Sequence, residues 1–283
     1  MTIAAAAPRR VRLPRITRAS AGAAIVAVLA ILAVLAPVIS AYKPEDMDFG
    51  AVLAGWSLAH PLGTDNFGRD VLTRVLFGLQ VSLIAAVGSV AVALAAGVPL
   101  GLLAGYKGRW VDALIMRPVD VLMAFPAIVL VVALAGLFRQ SLPLMTLAIG
   151  LVYVPIIVRV MRSAVLEIRG ALFVEGAKAR GASDLRIMAL HVLPNAVAPV
   201  LVQASTLMGL AILMEAALSF IGLGVQPPTP SLGLMLADGR SYMSGAPWLV
   251  IGPGLGILVA VLGFNLVGDG LPSLLNPSAG KRS

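Results

Sequence analysis

The chain has 283 residues, of which 59% are hydrophobic and only 12% are charged. A mean hydropathy of +0.99 lies far outside the balance of a soluble globular domain and indicates a membrane protein. The net charge of +8 does not indicate nucleic-acid binding, because the basic residues flank apolar runs and form no single basic surface with interleaved aromatic residues. The absence of cysteine excludes disulfides, thiolate catalysis and cysteine-ligated metal.

Six apolar runs with few or no charges follow one another along the chain. Most reach the length of about 20 residues that an α-helix needs to cross roughly 30 Å of hydrocarbon, and the first is too long for the core of a cleaved signal peptide. The sequence therefore predicts an all-α polytopic membrane protein with about six transmembrane helices. The runs occupy residues 21–39, 81–106, 118–138, 142–158, 199–223 and 247–268.

The distribution of Lys and Arg between the loops predicts the orientation, because positive residues in short loops are retained on the cytoplasmic side. Sixteen of them fall on the side shared by the two termini and the region around residues 159–186, against five on the other side. Both termini are therefore expected in the cytoplasm. The predicted organisation is a cytoplasmic tail (1–20), a first span (21–41), an extracytoplasmic segment (42–80), a core domain (81–270) and a cytoplasmic tail (271–283).

One polar stretch, EGAKARGASDLRIMALHVLPN at 175–195, interrupts the apolar sequence; we call it the polar insert. Residues 163–180 have the composition of a helix, and Gly181 is a natural stop because glycine accepts a positive φ. Ser183 can then cap a second helix that has Asp184 in its first turn and runs to about residue 190. Two short helices meeting at an angle on the cytoplasmic surface suit an interfacial anchor and a protein-docking element equally well.

The spacing of Glu175, Ala177, Gly181, Leu193 and Pro194 resembles the EAA loop of ABC importer permeases, in which a Glu-Ala-Ala run is followed by a glycine and a Leu-Pro pair. Gly176 departs from this pattern at the second position of the triplet. The His-x-Leu-Pro-Asn form at 191–195 is similar to the dipeptide, oligopeptide and nickel branch, and to its second, C-type permease. Similar stretches at 60–78, 108–126, 215–233 and 265–272 extend the resemblance over most of the chain from residue 60 onward, whereas residues 1–59 carry little family signal.

The resemblance implies a permease subunit of a bacterial ABC importer in the inner membrane, forming half of the translocation pathway for peptides or similar small substrates. It implies a second homologous permease, two cytoplasmic ATPase subunits that bind ATP and Mg, and an extracytoplasmic substrate-binding protein as partners, beside membrane lipid. It implies no cofactor in this chain. The coupling loop would span 160–198, and the residues expected to couple to the ATPase are Glu175, Gly176, Ala177, Gly181, Ala182, Ser183 and Asp184.

Two acidic residues, Asp120 and Glu215, lie inside predicted spans. Membrane-embedded carboxyl groups can couple ions to transport, so a secondary transporter is the alternative function. Asp120 lies about one turn from Arg117, which favours a structural ion pair. Glu215 is expected to make a hydrogen bond to another helix or subunit, since a charged carboxylate facing lipid costs several kcal/mol.

Neither a catalytic site nor a metal site is predicted. His60 and His191 fall on opposite faces of the membrane in the predicted topology, and the sequence contains neither an HExxH metal motif nor a GxxxxGK[ST] nucleotide loop. Glycines at 97, 101 and 105 repeat at intervals of four, which predicts a close approach between two helices.

Overall fold

The computed structural model describes residues 15–137 and 140–275, and within these ranges the regular structure is helical. This confirms the predicted fold class. The helices are α1 (Arg15–Ile39), α2 (Val71–Lys107), α3 (Arg109–Met123), α4 (Ala127–Leu137), α5 (Leu142–Ile168), α6 (Leu172–Ala179), α7 (Asp184–Ile187), α8 (Leu193–Phe220), α9 (Leu232–Gly239) and α10 (Trp248–Leu275). Short 3₁₀ turns lie at Phe49–Ala51 and Arg240–Tyr242, and a π-helical turn at Met188–Val192 joins α7 to α8.

Five helical stretches in the described residues are long and apolar enough to cross a membrane: Arg18–Ile39, Val71–Lys107, Leu142–Ile168, Asp184–Phe220 and Trp248–Pro272. The sixth expected span, residues 118–138, is not one straight helix. It belongs to the pair α3 and α4, which are bent by 88° relative to each other. The break precedes Pro126, which has no backbone N–H to donate and disfavours helical backbone at Phe125.

The second span begins earlier than its apolar run suggests. α2 starts at Val71, within the predicted extracytoplasmic segment 42–80, because Asp70 caps it: the Asp70 side chain accepts a hydrogen bond from the backbone N–H of Thr73 at 2.8 Å. An Asp in this position satisfies one of the free N–H groups at a helix start. At a rise of about 1.5 Å per residue, the 37 residues of α2 measure about 55 Å, well beyond the hydrocarbon thickness.

The core of the molecule is built on the contact between α2 and α5, which run side by side. A Cβ atom placed on Gly97 would lie 2.6 Å from Cγ2 of Ile157, and one on Gly101 would lie 2.6 Å from the carbonyl oxygen of Val158. Gly105 meets Val165 in the same way. These distances are too short for any side chain, so the predicted close approach is confirmed.

The remaining spans pack around this pair. α8 contacts both α2 and α5, α10 lies against α8, and α1 packs on α10 at the edge of the molecule. Fully buried side chains of the central helices include Ile149, Ile157, Met161, Leu207, Ile212 and Leu218.

The close contact of α2 with α5 predicts that Gly101→Ala destabilises the protein by about 1 to 3 kcal/mol, because the added methyl group meets backbone that has no room to move. Thermal unfolding of the purified protein in detergent measures this change. Gly254→Ala is the matched control, since Gly254 lies within α10 and nothing is within 4 Å of the position of its Cβ. Equal melting temperatures for the two variants would contradict the close packing.

Candidate functional site

The first half of the polar insert is a short helix closed by a glycine. α6 ends at Ala179, and Gly181 follows with a φ of 76°. The N–H of Gly181 donates to the carbonyl of Lys178 at 2.9 Å, and the N–H of Ala182 donates to the carbonyl of Ala177 at 3.2 Å. This pair of bonds is the Schellman motif, which turns the chain sharply at a residue in left-handed conformation. The predicted stop at Gly181 is confirmed.

The helices on either side of this turn differ from the prediction. Residues 163–180 do not form one helix: α5 ends at Ile168, and α6 begins only at Leu172. The second helix does not end near residue 190 either. α7 continues through the π-helical turn into α8, so that Asp184–Phe220 is one helical span.

The second helix was predicted to end near residue 190, before Pro194, and this is wrong because Pro194 does not break the helix. It lies in the first turn of α8, where its missing N–H is tolerated. The wider turn before it, in which the N–H of Leu193 donates to the carbonyl of Met188, carries the helix past the proline. Ser183 has extended backbone at the start of α7, as a capping residue should, but its side chain makes no capping hydrogen bond.

The polar insert presents one face to the protein and another to its surroundings. Val174, Ala177 and Ile187 are buried in the main core, so Ala177 anchors α6 and does not lie on its outer face. The outer face combines charge with exposed apolar side chains, which suits contact with another protein better than free exposure to water. Its exposed residues include Leu172, Phe173, Glu175, Gly181, Ser183 and Leu185, whereas Gly176 and Ala182 are half-buried.

Asp184 points toward the C-terminal end of α2. The Tyr106 hydroxyl donates to Asp184 Oδ1 at 3.1 Å, and Lys107 Nζ forms an ion pair with Asp184 Oδ2. Lys178 of α6 lies over the Tyr106 ring at 5.2 Å from the ring centroid. Tyr106 and Lys107 could not be predicted as partners of Asp184 from the sequence, because they lie more than seventy residues away in the chain.

Asp120 does form an ion pair, but with a different residue from the one predicted. Its partner is Arg159 of α5, with Nη2 2.8 Å from Asp120 Oδ1, and not Arg117 of its own helix. A second pair, Asp112 with Arg162 at 2.5 and 2.7 Å, joins the same two helices. Both acids lie on the side of α3 that faces α5. The Asp120 side chain is 59% exposed.

Glu215 of α8 is completely buried and makes two hydrogen bonds. Ser82 of α2 donates to its Oε2 at 2.7 Å, and Ser219, one turn along α8, donates to its Oε1 at 2.8 Å. Both oxygens are therefore satisfied inside the protein. The expected hydrogen bond between helices is confirmed.

Residues 42–70 form an ordered cap on the opposite end of α2. Asp65 accepts from Arg69 Nε at 2.6 Å, and Arg74 of α2 donates to the carbonyl of Pro44 at 2.9 Å. Burial raises the pKa of Asp238 of α9, against the lowering effect of Arg69 and Arg74 nearby. No group of three or more His, Asp or Glu side chains that could hold a metal ion occurs among the residues that the structure describes.

The buried carboxyl of Glu215 predicts graded effects of substitution on stability. Glu215→Ala leaves the Ser82 and Ser219 hydroxyls without their acceptor and should cost about 1 to 3 kcal/mol. Glu215→Gln retains the shape and most of the hydrogen bonding and should cost less. Ser205→Ala is the control, because Ser205 donates within its own helix, to the carbonyl of Leu201. Chemical or thermal unfolding ranks the three variants, and a Gln variant as unstable as the Ala variant would contradict this role.

Comparison with known proteins agrees with this architecture. Residues 97–281 match the family described as "Binding-protein-dependent transport system inner membrane component". The dipeptide transport system permease protein DppC of Alkalihalophilus pseudofirmus is 47% identical over 225 residues, covering 80% of this chain and 74% of that protein. The probable D,D-dipeptide transport system permease protein DdpC of Escherichia coli is 43% identical over 244 residues, covering 86% and 82%. The glutathione transport system permease protein GsiD of Pectobacterium atrosepticum is 41% identical over 230 residues, covering 81% and 76%.

A solved structure supports the fold independently. A chain of the MetNI methionine ABC transporter in an inward-facing conformation matches with a TM-score of 0.59 at 19% identity, over 69% of this chain and 93% of that chain. At this identity the match concerns the fold alone. Together with the family match over residues 97–281 and the curated relatives, it confirms the resemblance drawn from the sequence: the chain belongs to the inner-membrane permease subunits of ABC importers.

Proposed function

We propose that this permease forms half of the pathway of a bacterial importer for short peptides, and that separate ATPase subunits drive it through the polar insert. The observation that carries the proposal is the bend at Gly181, which holds α6 at the start of a helix that continues through the membrane as α8. Movement of α6 would be transmitted to a transmembrane span through the short turn 180–183, which two backbone hydrogen bonds hold to α6.

The outer face of the polar insert has the character of a docking surface. Leu172 is 86% exposed and Leu185 is 73% exposed, and they flank the charged Glu175. Exposed apolar side chains on a rigid, well-anchored element are typical of protein interfaces. We assign the direct ATPase contact to this face, with Glu175, Gly176, Gly181, Ala182 and Ser183 at or next to it. Ala177 supports the face from the core.

The remaining partners follow from the family. A second permease would complete the pathway, two ATPase subunits would bind ATP and Mg, and an extracytoplasmic binding protein would deliver the substrate. This chain would then have no catalytic residue of its own. Closure of the ATPase pair would move the polar inserts and open the paired permeases outward, and hydrolysis would reset them.

The proposed cargo rests on the relatives. Those compared above are named for dipeptides, D,D-dipeptides and glutathione, which share peptide bonds and small size. Secondary transport is less well supported. Glu215 is held by two hydroxyl groups inside the protein, and Asp120 is paired with Arg159, so neither carboxyl group is left free for proton exchange.

The proposed orientation predicts which positions a membrane-impermeant thiol reagent reaches in intact spheroplasts. Single cysteines at Lys43 and Arg240 should react from outside, and cysteines at Arg18, Arg109 and Arg180 only after permeabilisation. All five positions are exposed, and the chain has no native cysteine to obscure the result. Arg139 and Arg282, also expected outside and inside respectively, lie beyond the described residues. Reaction at residue 180 from outside would disprove ATPase docking at the polar insert.

The proposed docking predicts that Gly181→Val weakens the assembly with the ATPases. A β-branched residue in left-handed conformation is strained by about 1 to 3 kcal/mol, which would displace α7 relative to α6. Gly181→Asn should be milder, because Asn tolerates this conformation better. Glu175→Ala should also weaken docking, since it removes an exposed charge from the outer face.

The measurement is co-purification of the ATPases and binding-protein-stimulated ATP hydrolysis, at equal membrane abundance of each variant. Gly170→Val is the matched control: Gly170 precedes α6, has no positive φ and has nothing within 4 Å of its Cβ position. Full assembly and full stimulation with both Gly181→Val and Glu175→Ala would make the polar insert an interfacial anchor instead.

A further inference from the structure

Asp184 was expected to contact the ATPase, but its carboxylate is already occupied within the chain. One oxygen accepts from the Tyr106 hydroxyl and the other is paired with Lys107, both at the cytoplasmic end of α2. Lys178, on the other side of the Gly181 bend, lies over the Tyr106 ring. Both halves of the polar insert are therefore held by the last turn of α2.

The other end of α2 is fixed to the extracytoplasmic cap in a similar way. Asp70 caps the helix and also lies 3.0 Å from His60 Nδ1, and the buried Arg74 donates to the carbonyl of Pro44. Between these two ends, α2 is one uninterrupted helix of 37 residues, held against α5 by its glycine contacts. It is a single continuous helix, with Pro99 in its interior, that reaches from the polar insert to the cap, and packed helices of this kind can carry coupling between distant sites.

We infer that Asp184 is a positioning residue that latches the polar insert to α2, so that α2 transmits movement between the ATPase side and the extracytoplasmic cap. This inference rests on the proposed function, because it assumes that ATPases move the insert. It assigns Asp184 a role inside the subunit, distinct from the docking face of Glu175 and Leu185. Movement would be transmitted from the ATPase side to the extracytoplasmic cap and from the cap to the ATPase side, since coupling between two binding sites is reciprocal.

A second ion pair provides a matched control. Asp120 and Arg159 are 59% and 49% exposed, compared with 50% and 43% for Asp184 and Lys107. Both pairs join neighbouring helices and lie at similar exposure, but the Asp120 pair links α3 to α5 and includes no residue of the polar insert or of α2. Substitutions in the two pairs should therefore have similar effects on the stability of the protein. Those at Asp184 and Lys107 alone should affect the transmission of movement along α2.

The test uses the whole reconstituted complex in proteoliposomes, with binding protein and a labelled dialanine dipeptide as probe. Three quantities are measured: co-purification of the ATPases, the fold stimulation of ATP hydrolysis by the loaded binding protein, and dipeptide taken up per ATP hydrolysed. The variants are Asp184→Asn, Lys107→Gln, Tyr106→Phe, the exchange Asp184→Lys with Lys107→Asp, and the control Asp120→Asn.

We expect Asp184→Asn and Lys107→Gln to retain the ATPases but to lose about two- to fivefold in stimulation and in uptake per ATP, the scale on which exposed ion pairs act. Tyr106→Phe should show a smaller loss, because the ion pair remains. The charge exchange should recover part of the loss, and Asp120→Asn should match the wild type.

Two results would overturn the latch. If Asp184→Asn lost the ATPases while Lys107→Gln behaved as wild type, Asp184 would be a direct docking residue, and the proposed function would stand without the latch. If both variants kept wild-type stimulation and uptake, α2 would not be the transmitting element. Failure of the wild-type subunit itself to retain any ATPase would instead count against the proposed function.

Discussion

The close packing of α2 against α5 is the contact on which the rest of the structure depends. In lipid no hydrophobic force draws two apolar helices together, so association rests on van der Waals contact between backbones that can approach closely. Glycines at 97, 101 and 105 provide that approach along the C-terminal half of α2. The same contact sets the position of the C-terminal end of α2 relative to the other helices. Tyr106 and Lys107 therefore lie beside the polar insert.

The buried carboxyl group of Glu215 is paired both within its own helix and with a neighbouring helix, whereas the buried hydroxyls of Ser40 and Thr146 have no hydrogen-bond partner among the described residues. Inside a membrane a polar group without a partner is costly, because there is no water to replace the bond. Glu215 shows the consequence: two serines bind it, one from its own helix and one from α2. This arrangement ties α8 to the N-terminal half of α2, while Asp184 ties the start of the same helical span to the C-terminal end of α2.

Short turns join α6 to the transmembrane helices on both of its sides. Three residues, 169–171, separate α5 from α6, and four residues, 180–183, separate α6 from the continuous helical span that begins with α7 and becomes α8. Hydrogen bonds brace both turns: Gly181 and Ala182 donate to carbonyls of α6, and Arg169 donates to the carbonyl of Gly105 of α2 at 3.1 Å.

Much of the fold could be predicted from the sequence because the lipid environment imposes simple local rules. Long apolar runs predicted the helical class and about six spans, of which five are single helical stretches in the described residues. The spacing of glycines predicted a close helix contact, and Gly181 predicted the bend after α6. Each of these features depends on neighbouring residues in the chain. The family resemblance also followed from short, ordered motifs.

The partners of charged side chains and the course of the broken helices were decided only by the tertiary structure. Asp120 binds Arg159 across two helices and not the nearer Arg117, Asp184 turns inward to α2, and the predicted third span bends at Pro126. Conversely, Pro194 does not end the helix that contains it, because the turn before it widens. Local spacing determines whether a segment can be helical, but the nearest opposite charge and the space available to a helix depend on how separate helices pack against one another.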